Sequence, residues 1–274
     1  MLIGSTQTRA ALIACLFCSL MGLQADSSFA QAGSLGQIIE KNIAARGGLQ
    51  AWRAIQTMIM SGKMDAGSKQ NVQLPFVMKL KRPRKERLEI VLAGKTAVQV
   101  YDGTNGWKVR PFMGRDEIEP YTASEMQISA EQAELDGYLI DHEAKGIKVE
   151  LVGTEPVEGH DAYKLRLTMR NGQTRYLWLD AKSFLEVKID GSPRRLDGRM
   201  HSVETYYRNY TSVDGLMIPL VLETSVANVQ PTRKIVIERV LLNPRVEDNS
   251  FAKPELPSIK LQPAPQPGAA EAQQ

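Results

Sequence analysis

Along most of the chain apolar and polar residues alternate one for one, the spacing of strands that turn one face to a core and the other to water. The clearest stretch is 98–113, VQVYDGTNGWKVRPFM. Val98 and Val100 alternate with Gln99 and Tyr101, Asp102-Gly-Thr-Asn-Gly supplies residues that tolerate positive φ, and Trp107-Lys-Val109 resumes the alternation. This predicts a β-hairpin. Ahead of it, 55–64, 73–81 and 84–93 read as strands, with Phe76, Met78 and Leu80 on one face of the second, Leu88, Ile90 and Leu92 on one face of the third, and Pro83 between them. Beyond it the rhythm returns at 147–153, 162–170, 173–180, 184–190, 202–211, 216–224 and 233–242, with Asn171-Gly172 as a further hairpin turn. Successive hairpins with few helices between them predict an α+β chain, mainly antiparallel β. The sheet is read as strongly curved and up-and-down, not as a parallel α/β sheet.

Three stretches follow the helical period instead. In 34–46, SLGQIIEKNIAAR, Leu35, Ile38, Ile39 and Ile43 share a face, Ser34 and Gln37 are placed as a capping box, and Gly47 is the stop. A short helical turn around 49–52 follows. Residues 124–135, SEMQISAEQAEL, carry only a weak apolar stripe before Gly137. A marginal helix between two blocks of strands reads equally as a cover over the sheet or as an ordinary connection.

The ends of the chain carry no fold pattern. Residues 1–32 read as an export signal, with Arg9, an apolar run at 10–23 and a small-x-small site at Ala30-Gln-Ala32 or ending at Ala30. The run falls short of the roughly 20 apolar residues a bilayer span needs. Both cysteines, Cys15 and Cys18, lie inside it, so the exported chain is expected to hold no disulfide. Leu12-Ile-Ala-Cys15 resembles a lipoprotein cleavage box, but the longer apolar part follows it, which favours a soluble product over a lipid-anchored one. The tail 255–274, rich in Pro, Ala and Gln, has no pattern that could bury apolar area and reads as disordered. A single folded domain over 33–254 is left.

Composition narrows the functional classes. A net charge of +3 from 34 basic and 31 acidic residues argues against nucleic acid as a partner. Catalytic and metal chemistry has little to work with: the exported part offers His142, His160 and His201, no thiol, no Gly-x-Ser-x-Gly, no phosphate-cradling loop and no His-Glu-x-x-His. Asp141-His-Glu143 and His160-Asp161 are sequence neighbours, which point to opposite faces of an extended segment. No metal or other cofactor is therefore expected, nor is an enzyme. The densest basic run, KLKRPRKER at 79–87, offers Arg82, Arg84 and Lys85 to an acidic partner or anionic head groups, against the plainer reading of a solvated hairpin tip.

The order of these features carries a resemblance. The export signal and the amphipathic helix ending in Gly47-Gly48 come first, then paired strands, Tyr101-Asp-Gly-x-x-Gly-Trp107 and a helical insertion. Antiparallel strands, Val213-Asp-Gly-Leu-Met-Ile-Pro219, Asn243 and Phe251-Ala-Lys-Pro254 complete the order. Over about 35–254 this resembles the outer-membrane lipoprotein-sorting proteins of LolA/LolB-like fold. The resemblance implies a half-open, strongly curved β-barrel with an N-terminal helix, a helical lid and an apolar cavity. It also implies a periplasmic monomer that shields acyl chains of a lipoprotein or phospholipid between an inner-membrane donor and an outer-membrane acceptor.

On that reading the cavity wall draws on the apolar members of alternating strands: Met58, Met60, Phe76, Met78, Leu88, Ile90, Trp107, Leu165, Leu167 and Trp178. Alternation does not say which face is concave, and a one-residue slip would invert the set. A second reading is an envelope module that senses lipids and reports to a protein partner through the basic hairpin or the tail. A third, a hydrolase, would require one of the three histidines to be essential.

Overall fold

A computed structural model of the chain describes residues 33–66, 72–191, 193–196 and 198–255. The expected export signal and nearly all of the expected tail lie outside them. Among these described residues three α-helices and fifteen strands follow in chain order. They are α1 (Leu35–Ala45), α2 (Leu49–Ala54), β1 (Thr57–Asp65), β2 (Gln73–Lys81), β3 (Lys85–Leu92), β4 (Lys95–Tyr101), β5 (Gly106–Arg110), β6 (Arg115–Pro120), α3 (Ala123–Gln132), β7 (Lys148–Val157), β8 (His160–Thr168), β9 (Thr174–Asp180), β10 (Glu186–Asp190), β11 (Arg194–Leu196), β12 (Arg199–His201), β13 (Val203–Val213), β14 (Leu216–Val226) and β15 (Val229–Leu242).

The alternating pattern is realised as one 13-stranded antiparallel sheet in the order β6-β5-β4-β3-β2-β1-β15-β14-β13-β10-β9-β8-β7, with β11 and β12 a separate hairpin. The chain winds outward from β1 to the edge strand β6, crosses through α3 to the opposite edge at β7, and winds back until β15 pairs with β1. The two edge strands do not pair, so the sheet is a curved, half-open barrel. Bulges assist the bending. One sits at Ser61/Gly62 in the seam between the two meanders, where a Cβ on Gly62 would run into the carbonyl of Val236. Glycine there lets β15 cross close to β1.

The amphipathic helix forms as its pattern predicts. Ser34 and Gln37 make the capping box, the Ser34 amide donating to Gln37 Oε1 (3.1 Å) and the Gln37 amide to Ser34 Oγ (3.4 Å). Its stripe, with Ile38 1% exposed, packs on Leu165, Leu167, Leu177 and Leu179 of β8 and β9. Burying each such side chain is worth about 1.5–3 kcal/mol. Trp52 of α2 joins Met58, Leu80, Leu216 and Ile218 in a second cluster, and Ile43 of α1 touches both.

The two closing motif residues act in the fold. Asn243 receives the Gln56 amide on Oδ1 (2.7 Å), and Phe251 packs with Val100 and Val246 against Ile59, Val98 and Trp107. The segment after β15 is thereby laid across the face of β1, β4 and β5 that points away from the helices.

Candidate functional site

Register lines show which residues share the concave face. On the first meander Met58, Met60 and Met64 of β1 stand beside Leu80, Met78 and Leu74 of β2. On β3, Leu88 pairs with Met78 and Ile90 with Phe76. Six of the predicted wall residues, Met58, Met60, Phe76, Met78, Leu88 and Ile90, thus form one apolar strip. Met58 and Phe76 are buried, whereas Met60, Met78, Leu88 and Ile90 are only half-buried. The row Met64, Ile235, Leu222, Tyr207 carries the same face across β15, β14 and β13, and Thr205, Ile189, Leu177 and Leu165 continue it to β8. Leu165 and Leu167 are fully buried there under α1, so they are core filling and not free wall.

Trp107 and Trp178 correct the sequence expectation. Trp107 pairs with Val100, and both lie on the convex face against Phe251. The inward residues of β5 are Gly106, Lys108 and Arg110. Trp178 also faces outward: its indole donates to Glu155 Oε1 (2.7 Å), and Lys188 Nζ stands 3.9 Å from a ring centroid. Neither tryptophan belongs to the apolar strip.

The connection between the two edges covers one end of the concave face, and its two parts are held differently. Residues 133–147 are anchored by apolar burial, with Leu135 and Ile140 in the α2 cluster and Leu139 in the α1 cluster. They are anchored as well by an ion network around Asp136, whose side chain is 2% exposed. Asp136 accepts from Arg82 Nη2 (2.7 Å) and from Lys145, and its carbonyl accepts from Arg46 Nη1 (2.8 Å).

By contrast α3 buries only Ser129 and leaves Ile128 39% exposed. Polar contacts hold it: Lys108 with Glu125 (2.6 Å), Arg175 with Glu131 (3.2 Å), and Gln127 with Gln173. Its Thr122/Glu125 capping box fixes where it starts. Just before it, the ring of Tyr121 lies over Gly106, where any Cβ would collide with it. Gly106→Val is expected to displace Tyr121 and α3 together. Hydrogen exchange of residues 121–132 should accelerate while β8 and β9 stay protected, and unchanged exchange there would refute the docking.

The basic run is spent on internal ties. Arg82 joins Asp136 and the carbonyls of Ile55 and Trp52, Arg84 joins Glu134, and Lys85 joins Asp248 (2.8 Å). These partners lie far along the sequence, so the run looked free in the sequence when the fold had already matched it.

One residue escaped the sequence reading. Glu86 sits in the inward register of β3 with Leu88 and Ile90, between Leu80 of β2 and Tyr101 of β4. It is 6% exposed, and its Oε2 is buried without a hydrogen-bond partner. Burial in these surroundings pushes its pKa up to about 7. The signal was present in the sequence, as a charge on the apolar beat of a strand.

Of the three histidines, His142 Nδ1 meets the Ile147 carbonyl (3.1 Å) and His201 Nδ1 that of Ala227 (2.7 Å), while His160 opens β8. Among the described residues no group of three or more His, Cys, Asp or Glu could hold a metal ion. A cleft of about 270 Å³ behind α3 has a mixed wall, with Arg84, Glu131, Glu134 and Lys145 beside Tyr138, Ile147 and Met169.

The architecture has known counterparts. The chain has a LolA-like fold, similar to a LolA superfamily protein from Nitrosomonas europaea at 16% identity and a TM-score of 0.55, covering 80% of this chain and 97% of that one. A domain described as an outer membrane lipoprotein-sorting protein from Vibrio parahaemolyticus is similar at 12% identity and a TM-score of 0.52, covering 79% and 95%. A DUF1329 family protein from Desulfovibrio piger follows at 14% and 0.54, covering 79% and 96%. No protein-family model matches the chain, and no curated protein matches its sequence.

Proposed function

We propose that this protein is a soluble, non-catalytic periplasmic carrier, a monomer that takes acyl chains of a lipid or lipoprotein onto the concave face of β1–β3 and passes them between membranes. One observation carries the reading. The helices fill the concave face over β8 and β9, yet Met60, Met78, Leu88 and Ile90 stay only half-buried in a continuous strip, Met60 and Met78 at the edge of the α2 cluster, and α3, which touches the neighbouring β4 and β5, is held by polar contacts. Such a strip can shield alkyl chains at about 0.8 kcal/mol per buried CH₂ and needs no reactive group. The similar fold of the lipoprotein-sorting domain supports the class of ligand. Unbranched methionines suit chains of varied shape.

The test is native mass spectrometry of the protein purified from a periplasmic extract without detergent, followed by organic extraction and uptake of a fluorescent fatty acid. A bound mass that extraction removes as phospholipid or acylated peptide is expected. Met78→Glu is expected to weaken uptake at least tenfold. A clean unliganded mass together with no uptake would overturn the carrier reading and favour the sensing module. Because Arg82, Arg84 and Lys85 are internally paired, a partner would then be sought at another surface.

A further inference from the structure

Among the buried charged side chains, Glu86 stands apart. Arg46 pairs with Glu186, Lys108 with Glu125, Asp136 with Arg82 and Lys145, and Arg175 with Glu131. Among the described residues Glu86 makes no ion pair, and its Oε2 accepts no hydrogen bond. Native structures satisfy the large majority of buried polar atoms, so an orphan of this kind calls for an explanation. Donors on the flanking residues and strands are already engaged. The Tyr101 hydroxyl donates to the Gly103 carbonyl (2.9 Å), Lys85 is held by Asp248, Arg84 by Glu134, and Lys108 by Glu125. Burial first, and then the nearby Glu86 carboxyl group, hold the Tyr121 hydroxyl above its ordinary pKa.

Position adds the second argument. Glu86, Leu88 and Ile90 occupy successive inward positions of β3, about 6.7 Å apart along the strand. An alkyl chain lying along Ile90 and Leu88, beside Phe76 and Met78, runs straight at the carboxyl group. α3 and Tyr121, the loosely held part of the cover, lie at that end.

We propose that Glu86 is the head-group contact of the apolar strip, and that it selects acyl ligands bearing a hydrogen-bond-donating nitrogen, an ammonium or an amide, next to the chain. This rests on the carrier reading and makes it specific. The carboxyl group supplies the acceptor, the strip receives the chain, and ligands ending in a carboxylate are repelled.

The experiment titrates the purified protein and its Glu86→Gln variant with dodecylamine, dodecanamide and dodecanoate, each below its micellar concentration. The readout is displacement of a bound fluorescent alkyl probe that carries no carboxylate. At pH 7.5 the unaltered protein is expected to bind the amine or the amide at least tenfold more tightly than dodecanoate, and the variant to bind all three within about threefold. If the selected nitrogen is cationic, amine affinity in the unaltered protein rises at least fivefold from pH 5.5 to pH 8 while amide affinity does not. If it is neutral, the amide leads at both pH values. Equal affinity for all three ligands in the unaltered protein, or a preference that survives in the variant, overturns the assignment while leaving the carrier reading intact. Failure of both proteins to bind the alkyl probe or any of the three ligands overturns the carrier reading and this one with it. The pH comparison uses the unaltered protein alone, so the cation arm stands even if the variant folds poorly.

Discussion

Raising the pH from 5 to 8 is expected to cost this protein about 3 kcal/mol of folding stability, and Glu86→Gln is expected to abolish most of that slope. The folded-state pKa of Glu86 is raised to about 7 by burial, from a starting value of 4.5. An acid raised in this way stays protonated in the folded chain after it has ionised in the unfolded one. The unfolded state therefore binds fewer protons between about pH 4.5 and 7, and stability falls as pH rises through that window. At roughly 1.36 kcal/mol per pKa unit the loss is about 3 kcal/mol, complete above pH 7. For a domain of this size that lowers the melting temperature by roughly 6–12 °C. Carboxylates held below their ordinary range by partners, such as Glu125 beside Lys108 and Thr122, lose their contribution only as pH falls below about 4.5 and leave this window flat. Urea melts of both proteins at pH 5, 6, 7 and 8 decide the matter. Parallel stability profiles would mean that Glu86 is solvated or paired in solution.

How far the sequence showed this depends on which interactions are local. The hairpin at Tyr101 was legible because its turn is self-contained: Asp102 Oδ1 accepts from the amides of Thr104 (2.7 Å) and Asn105 (2.6 Å). The first helix was legible because cap and stripe lie within a few residues. The shared row of Met60, Met78 and Leu88 followed from strict alternation in adjacent strands. Strand β6, Arg115–Pro120, was not legible, since RDEIEP has no apolar beat. It holds as a strand by pairing with β5, and its Glu119 takes Arg110 (2.7 Å).

The tryptophans were misplaced for a different reason. In β5 the apolar residues Trp107 and Val109 face outward because Phe251 and Val246, from far along the chain, cover that face. The inward Lys108 is neutralised by Glu125. In β9 both faces are apolar, with Leu177 and Leu179 inward and Tyr176 and Trp178 outward. Alternation reports that two faces differ, and it carries no information about which covering segment arrives from elsewhere.

Asp136→Asn is expected to destabilise the protein by about 3 kcal/mol, the lower end of the range for breaking a buried ion pair, since Arg82 keeps 26% of its side-chain exposure. Asparagine keeps the shape and removes the charge. Arg82 then faces a neutral amide, and Lys145, whose side chain is 11% exposed, is left with Glu134, which Arg84 already engages. Arg84→Gln provides the contrast. Arg84 is 44% exposed, and a surface pair of this kind is worth about 0–1 kcal/mol. A melting temperature lowered by roughly 6–12 °C for the first variant and by no more than about 4 °C for the second would identify a buried anchor and not a simple loss of charge. Hydrogen exchange should locate the damage in residues 133–147 while α1 stays protected, and equal stability of both variants would sink the argument. The distinction bears on the proposed entry of a ligand to the concave face. A stem fixed by Asp136, Leu135 and Ile140 leaves α3, with its single buried serine, as the less firmly anchored part. A ligand entering along β3 would then lift that helix and Tyr121 without disturbing the core beneath α1.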